Sequence, residues 1–246
     1  MLLAIDIGNT NISIGVFEDK RLWKRYSIPA KEKKYSAQLQ KIFRQNKIHD
    51  AIICSVVPSV TKILAKDIER LLGQPPYIIG KDIVVPINNL YRKPRQVGQD
   101  RLVNAYAGIM LYGAPLIVVD FGTAVTFDLV SKDKAYLGGM ILPGLEISLD
   151  ALAERTALLP KIKLTRPEEF IGRDTKNSML SGIIYGFSSL ADSLIKKLKQ
   201  KLGKNAQVIA TGGNISLISN YCRKINKINR DLTLQGLCLL FLRHNI

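Results

Sequence analysis

Apolar residues along this 246-residue chain fall into short unbroken runs and longer stretches at helical spacing, and the two alternate. Leu3-Ala-Ile-Asp-Ile7 and Ile117-Val-Val-Asp-Phe121 are unbroken, and runs of this kind suit strands buried on both faces. Each leads through a glycine-containing turn into a second strand, 12–17 and 125–130, and third strands are expected over 22–28 and 135–142. In the first half, helical spacing marks 36–46, with Ser36 as the expected N-cap, and 59–72, on either side of a strand at 51–57; Pro75-Pro76 ends the segment. A helix over 100–110 precedes the second half. There, Pro143-Gly144 introduces a helix to 158, 177–202 reads as a long helix, 207–210 as a strand running into Thr211-Gly-Gly213, and 232–243 as a closing helix.

The two halves begin alike. Asp6-Ile-Gly8 and Asp120-Phe-Gly122 lie 114 residues apart, each after an apolar strand and before a hydroxyl-bearing turn. The bend there explains Gly8 and Gly122 as positions where backbone must turn and approach a ligand closely. A boundary near Gly113-Ala-Pro115 divides the chain into 1–114 and 115–246, two α/β domains with mixed sheets and a ligand cleft between them. A carboxylate beside exposed backbone N–H groups suits a metal-bound polyphosphate, because the N–H groups meet phosphate oxygens while the carboxylate holds a hydrated cation. Neither Gly-x-x-x-x-Gly-Lys-Ser/Thr nor Gly-x-Gly-x-x-Gly occurs, so any ATP chemistry falls to the paired hairpins. Gly98-Gln-Asp-Arg101, at an expected helix start, favours an anionic substrate group, with Asp100 placed to orient or deprotonate a hydroxyl. Asp100 reads otherwise as an N-cap and Arg101 as a surface residue.

Composition narrows the classes. Hydrophobic residues at 47% and charged residues at 23% exclude disordered and fibrous chains. The net charge of +16 attracts polyanions, yet the run Lys196-Lys197-Lys199-Lys201 with Lys204, and the patch Lys31-Glu-Lys-Lys34, read as solvated basic faces. Three cysteines without Cys-x-x-Cys spacing exclude a disulfide framework or zinc site; Cys54 and Cys238 read as buried thiols. Two distant histidines, His49 and His244, argue against Ser-His-Asp chemistry. With no signal peptide and no unbroken apolar stretch of about 18 residues, a cytoplasmic protein without a membrane span is expected.

Asp6-x-Gly-Asn-Thr10, Gly98-x-Asp-Arg101, Asp120-Phe-Gly-Thr123, Gly138-Gly-Met-Ile-Leu-Pro-Gly144, Thr211-Gly-Gly213 and Leu232-Thr-Leu-Gln-Gly-Leu237 occur together in this order, and with them the whole chain resembles type III pantothenate kinase. The resemblance implies two ribonuclease-H-like domains of the acetate and sugar kinase/actin-like ATPase superfamily, binding ATP between them. It implies transfer of the ATP γ-phosphoryl group to the primary hydroxyl of pantothenate, giving 4'-phosphopantothenate at the first step of coenzyme A biosynthesis. It puts ATP at Asp6, Ile7, Gly8, Asn9, Thr10, Asn11, Ile12, Ser13 and Thr123, with Gly212 and Gly213, and pantothenate at Tyr91, Gly98, Gln99, Asp100, Arg101 and Thr175. Asp100 is the expected proton acceptor, Asp120 the ligand of a monovalent cation (K⁺ or NH₄⁺), and Asp6 the neighbour of Mg²⁺. A homodimer is implied. Similar sequences read Gly-Arg/Lys-Asn-Thr where this one has Gly172-Arg-Asp-Thr175, so Asp174 adds negative charge near an anionic substrate.

Two competing readings follow. A nucleic-acid-binding regulator on the same scaffold is motivated by the charge, although no recognition helix or zinc pattern accompanies it. A related kinase acting on another hydroxyl substrate, or an ATP hydrolase, is opposed by Gly98-x-Asp-Arg101. Trp23 and Tyr26 are expected to pack within a strand, Tyr185 and Phe187 to sit in a core or dimer interface, Glu146 and Glu154 to be surface charges, and Asp128 to face the cleft or solvent.

Overall fold

A computed structural model describes residues 1–31 and 35–245, so Glu32, Lys33 and Lys34 of the expected basic patch lie outside the described residues. The unbroken runs become the centres of two five-stranded sheets. In the first, Leu2–Ile7 (β1) lies between antiparallel Asn11–Glu18 (β2) and parallel Asp50–Ser55 (β4), with Arg21–Pro29 (β3) and Tyr77–Ile78 (β5) at the edges. In the second, Leu116–Phe121 (β6) lies between antiparallel Ala124–Val130 (β7) and parallel Gln207–Thr211 (β9), with Tyr136–Pro143 (β8) and Lys227–Ile228 (β10) at the edges. The echo in sequence is therefore a repeat of strand order. The repeated carboxylates occupy the same ladder position: Asp6 opposes Ser13 and Cys54, and Asp120 opposes Thr126 and Thr211.

Central position explains the lack of alternation. Leu3, Ile5 and Ile7 face a core built with Leu39 and Ile42 of Tyr35–Gln45 (α1) and Leu64 and Ile68 of Pro58–Leu72 (α2). Leu2 and Ala4 are buried on the opposite face, where Leu232–His244 (α7) packs on β1, β2 and β4. Punctuation fixes α2, with Pro58 in its first turn and Gly73 (φ 78°) bonding back to the Glu69 carbonyl. Helix α1 begins at Tyr35, so Ser36 stands inside its first turn rather than capping it.

The chain forms two compact units: 1–87 with 92–110 and 231–246, and 88–91 with 111–230. This differs from a single cut after residue 114 in three places, the first being residues 111–114, which fall in the second unit. Helix α7 belongs to the first unit because its apolar residues Leu234 and Leu237 are buried there, and Gly236 lets it touch Gln99–Tyr112 (α3) at Val103. Residues 88–91 belong to the second because their backbone pairs with Tyr136.

In the second unit Leu145–Arg155 (α4) and Thr175–Leu202 (α5) cover the sheet through Leu145, Leu149, Leu180, Ile184 and Ile195. By length and composition α5 would cross a membrane, a reading its unbroken run of apolar character never reached in the sequence. Its buried face, including Met179, Ile183 and Leu198, identifies it as a core helix.

Candidate active site

In the first unit the turn after β1 is closed by the Gly8 N–H bonding to the Asn11 carbonyl at 3.0 Å, leaving Asn9 and Thr10 exposed. Neither Gly8 nor Gly122 has a left-handed φ, so the expected sharp bend is not why glycine stands there. The reason is proximity: a Cβ would lie 3.1 Å from the Asn11 carbonyl oxygen at Gly8 and 3.1 Å from Asp120 Oδ1 at Gly122. Ile7 and Ile12 are fully buried in the core, so only their backbone is available to a nucleotide.

Asp6 and Asp100 both act electrostatically on one side chain. Cys54, beside Asp6 in the parallel ladder, is completely buried, and its thiol is pushed well up by burial and then by the negative charges of Asp6 and Asp100. Helix α3 begins at Gln99, so Asp100 lies in its first turn and is not its cap. The Asp100 carboxylate folds back over Gly98, where a Cβ would come within 2.4 Å of Oδ1, and accepts the Arg101 N–H at 2.9 Å. Burial raises the proton affinity of Asp100 above the ordinary carboxylate value, opposed by the Arg101 N–H and guanidinium. Arg101 is itself buried, not the surface residue of the plainer reading. The Gln99 side chain lies against Gly80, whose φ of 83° admits only glycine comfortably.

In the second unit backbone closes tightly around Asp120. A Cβ on Gly212 (φ 99°) would fall 2.4 Å from Asp120 Oδ1 and 2.5 Å from the Phe121 carbonyl carbon. One on Gly144 would fall 2.1 Å from the Thr123 oxygen. The Asn214 N–H bonds to the Phe121 carbonyl at 3.0 Å, tying the turn after β9 to the end of β6. The Asp120 carboxylate at the end of its strand and the exposed Thr123 in the turn beyond it are oxygen donors of the kind that hard cations and phosphate groups take as partners. Gly213, by contrast, faces open space.

Tyr91 and Thr175 also belong to the second unit. The Tyr91 ring lies against Gly138 of β8. Thr175 lines a pocket of about 550 Å³ with Leu159, Gly172, Arg173, Asp174, Ser178 and Met179. The extra charge of Asp174 is engaged in capping α5: it accepts the Asn177 N–H and side-chain Nδ2, each at 2.8 Å, and these bonds hold its pKa down. Arg173 is held by Glu169 at 2.8 Å.

Two expectations are corrected, at Trp23 and at Asp128. Trp23 is half exposed with the Arg21 guanidinium 5.6 Å over its ring, because the ladder is irregular there and carries it off the packed faces. Asp128 is fully buried. Glu146 and Glu154 are exposed, Phe187 packs on the core, and Tyr185 makes edge-to-face contacts with Phe170 and Tyr221. The lysines at 196, 197, 201 and 204 are exposed. The closures at Gly144 and Gly212, and the place of Cys54 between two acids, escape sequence reading. They depend on which segments meet; glycines beside the quoted motifs were the only signal.

A family model described as type III pantothenate kinase matches residues 2–197. A Bacillus cytotoxicus protein named type III pantothenate kinase is 37% identical over 255 aligned positions, covering 100% of this chain and 97% of its own. Among solved structures, a Campylobacter jejuni protein provisionally assigned as a Baf family transcriptional activator matches with a TM-score of 0.61 at 19% identity, over 99% of this chain and 98% of that one. Ethanolamine utilization protein EutJ from Carboxydothermus hydrogenoformans matches with a TM-score of 0.55 at 13% identity, over 97% and 89%. At such identities the two structures speak for the fold alone.

Proposed function

The chain belongs to the type III pantothenate kinase family and so phosphorylates pantothenate with ATP on the way to coenzyme A; from that premise we propose which of its residues carry the reaction. Its two α/β units are ribonuclease-H-like, as in actin-like ATPases. The observation that supports the assignment is that Asp6 stands opposite Cys54 in the parallel ladder while Asp100 folds over Gly98, where a Cβ would lie 3.9 Å from Val56 Cγ1 just beyond the same strand. That supports reading Asp6 as the carboxylate on the nucleotide side and Asp100 as the one at the acceptor hydroxyl.

Phosphoryl transfer has a loose transition state, so the protein contributes alignment and charge neutralisation rather than covalent chemistry. Asp100 orients the pantothenate hydroxyl and accepts its proton as the oxygen–phosphorus bond forms and ADP departs with its electron pair. Because the alcohol is a far weaker acid than a carboxyl group, proton transfer runs late. The buried Arg101 fixes the substrate's polar end, assisted by Gly98, Gln99, Tyr91 and Thr175. For ATP, the segments assigned are the hairpin Asp6–Ser13 in the first unit and, in the second, Thr123 and the turn at Gly212. Asp6 would hold Mg²⁺ and Asp120 a monovalent cation, K⁺ or NH₄⁺; bound there, they neutralise phosphate charge. The glycine-lined closure around Asp120 fits such an ion. The enzyme acts as a cytoplasmic homodimer.

A coupled assay with ATP and pantothenate, with and without K⁺, tests the reading. Activity that needs K⁺ in the native enzyme and loses that dependence in Asp120→Asn supports it. Undiminished turnover in Asp100→Asn removes Asp100 from the base role. Sedimentation at twice 27.4 kDa is expected for the dimer.

A further inference from the structure

One fully buried carboxylate has no part in this scheme. Asp128 stands in the middle of β7, between Val118 and Gly139 in the ladder. Its Oδ1 accepts the Tyr136 hydroxyl at 2.7 Å and its Oδ2 accepts the Thr126 hydroxyl at 3.1 Å. Taking a carboxylate out of water is costly where leucine or valine would serve the same sheet, so the arrangement is explained only by what its bonds hold.

They hold Tyr136, and Tyr136 holds a strap. Its side chain is completely buried, its backbone N–H donates to the Asn88 carbonyl at 2.8 Å, and its own carbonyl accepts the Leu90 N–H at 2.9 Å. The next residue along the strap is Tyr91, whose N–H bonds to Asn89 Oδ1 at 3.0 Å and whose ring rests on the backbone of Gly138. Gly138 has φ 117°, and a Cβ there would come within 3.2 Å of that ring. Residues 88–91 have no helix or strand of their own beyond the bridge to Tyr136. Two backbone bonds to Tyr136, the Asn89 side chain and the glycine seat thus all help to hold the Tyr91 ring.

We propose that Asp128 is a positioning residue for pantothenate: through the Tyr136 hydroxyl it fixes the strap that presents Tyr91 to the substrate. The inference rests on the reading of Tyr91 as a pantothenate contact. Without the Asp128–Tyr136 bond the Tyr136 side chain loses its polar anchor, and a small readjustment of Tyr136 passes through its two backbone bonds to the strap and loosens the seating of Tyr91 on Gly138. ATP binding, assigned to other segments, is left alone.

The test is a double-mutant cycle in the full-length enzyme, with pantothenate and ATP varied separately. Tyr136→Phe is expected to raise the pantothenate KM about 5–20-fold while the ATP KM stays within about twofold. In a Tyr91→Ala background, the same Tyr136→Phe change adds less than about twofold, because the group it acts through has gone. Faster hydrogen exchange at the Leu90 amide in Tyr136→Phe is the accompanying structural sign. Asp128→Asn keeps an acceptor of the same shape but loses the charge assistance, so it gives a smaller rise of about 2–5-fold. It carries the cycle should Tyr136→Phe fail to fold. A purely structural role predicts loss of stability with both KM values unmoved, or effects that multiply in the double mutant; either result overturns the proposal. If Tyr91→Ala raises the pantothenate KM and neither Tyr136→Phe nor Asp128→Asn does, the positioning role alone falls. If Tyr91→Ala leaves it unmoved, the assignment of Tyr91 falls and takes the proposal with it.

Discussion

Gly212→Ala separates backbone geometry from general tolerance of the turn after β9. At φ 99° the residue lies where an L side chain is strained, at a cost of about 1–3 kcal/mol. Sterics are worse. The added Cβ would lie 2.4 Å from Asp120 Oδ1 and 2.5 and 2.6 Å from the backbone of Phe121, whereas ordinary contact begins at 3.4 Å. Rotating a side chain relieves only the first overlap; the other two are with the end of a central strand. The turn must therefore retreat from Asp120 by about 1 Å, a displacement that costs about 10²-fold when it misaligns a reacting group. That corresponds to about 2.7 kcal/mol of transition-state stabilisation. The assay is steady-state kcat/KM for ATP by coupled ADP detection, alongside thermal melting. Gly213→Ala is the control: its Cβ meets nothing within 4 Å and its φ is not left-handed. Its stability is expected within about 0.5 kcal/mol of the native enzyme, with any effect confined to ATP binding. Native kcat/KM in Gly212→Ala, or equal destabilisation by both substitutions, would refute the reasoning.

Asp100→Asn should lower kcat by about 10²–10⁴-fold while a nucleotide titration stays normal. Burial raises the folded-state pKa of Asp100, so the group favours folding below its unfolded value and loses that contribution as pH rises through the folded one. The variant is accordingly more stable than the native enzyme at neutral pH, the gap closing in acid, and native kcat falls on the acid side above the usual carboxylate range. Asp174 has the opposite sign: its folded pKa is depressed, so its capping contribution is present above the unfolded value and is lost as pH falls through the folded one. Asp174→Ala should melt earlier at neutral pH and converge with the native enzyme in acid, while Asp174→Asn keeps the cap and changes the pantothenate KM by less than about twofold. Gly236→Ala forces a Cβ to 2.7 Å from Val103 Cγ1 and 2.9 Å from the Val103 carbonyl. Denaturant unfolding should show a loss of about 1–3 kcal/mol, with kcat reduced as α3 shifts.

The strands and helices that bury a continuous face were legible because burial itself writes the pattern: β1, β6, α2 and α7 stand within a residue or two of their expected bounds. The two-residue edge strands β5 and β10 were not, since so short a segment has no period to read. At the site, Asp6 and Asp120 announced themselves by repetition. Gly144 and Gly212 did not reveal their task, because what they approach lies 21 and 92 residues away in the chain, at Thr123 and Asp120. Asp128 looked equally suited to solvent, as one polar residue in a hairpin carries no sign of whether a tyrosine eight residues on will reach it.

The duplicated scaffold explains why one hairpin can serve two chemistries. Asp6 and Asp120 occupy one topological position, so their backbone surroundings begin alike and the difference lies in the flanking strands. Beside Asp6 the parallel neighbour is Cys54, a thiol held neutral by burial, which admits a second acid, Asp100, without adding a third charge. Beside Asp120 the neighbours are Thr126 and Thr211, and glycine brings carbonyl-bearing backbone to within contact of the carboxylate. A neutral spacer between two carboxylates favours a site where one acid must take up a proton late in a reaction, since crowding by a third anion would raise both. Thr126 gives its hydroxyl to Asp128, which leaves Thr211 and the turn at Gly212 to accompany the single Asp120 carboxylate, a setting of low charge that suits the monovalent ion proposed there. Exchanging the neighbours, with Cys54→Thr in the first unit and Thr211→Cys in the second, should leave the fold intact and lower pantothenate kinase turnover in each variant, in Thr211→Cys through the K⁺ requirement. Retention of native K⁺ activation in Thr211→Cys would mean that the carboxylate alone, and not its oxygen surroundings, selects the ion.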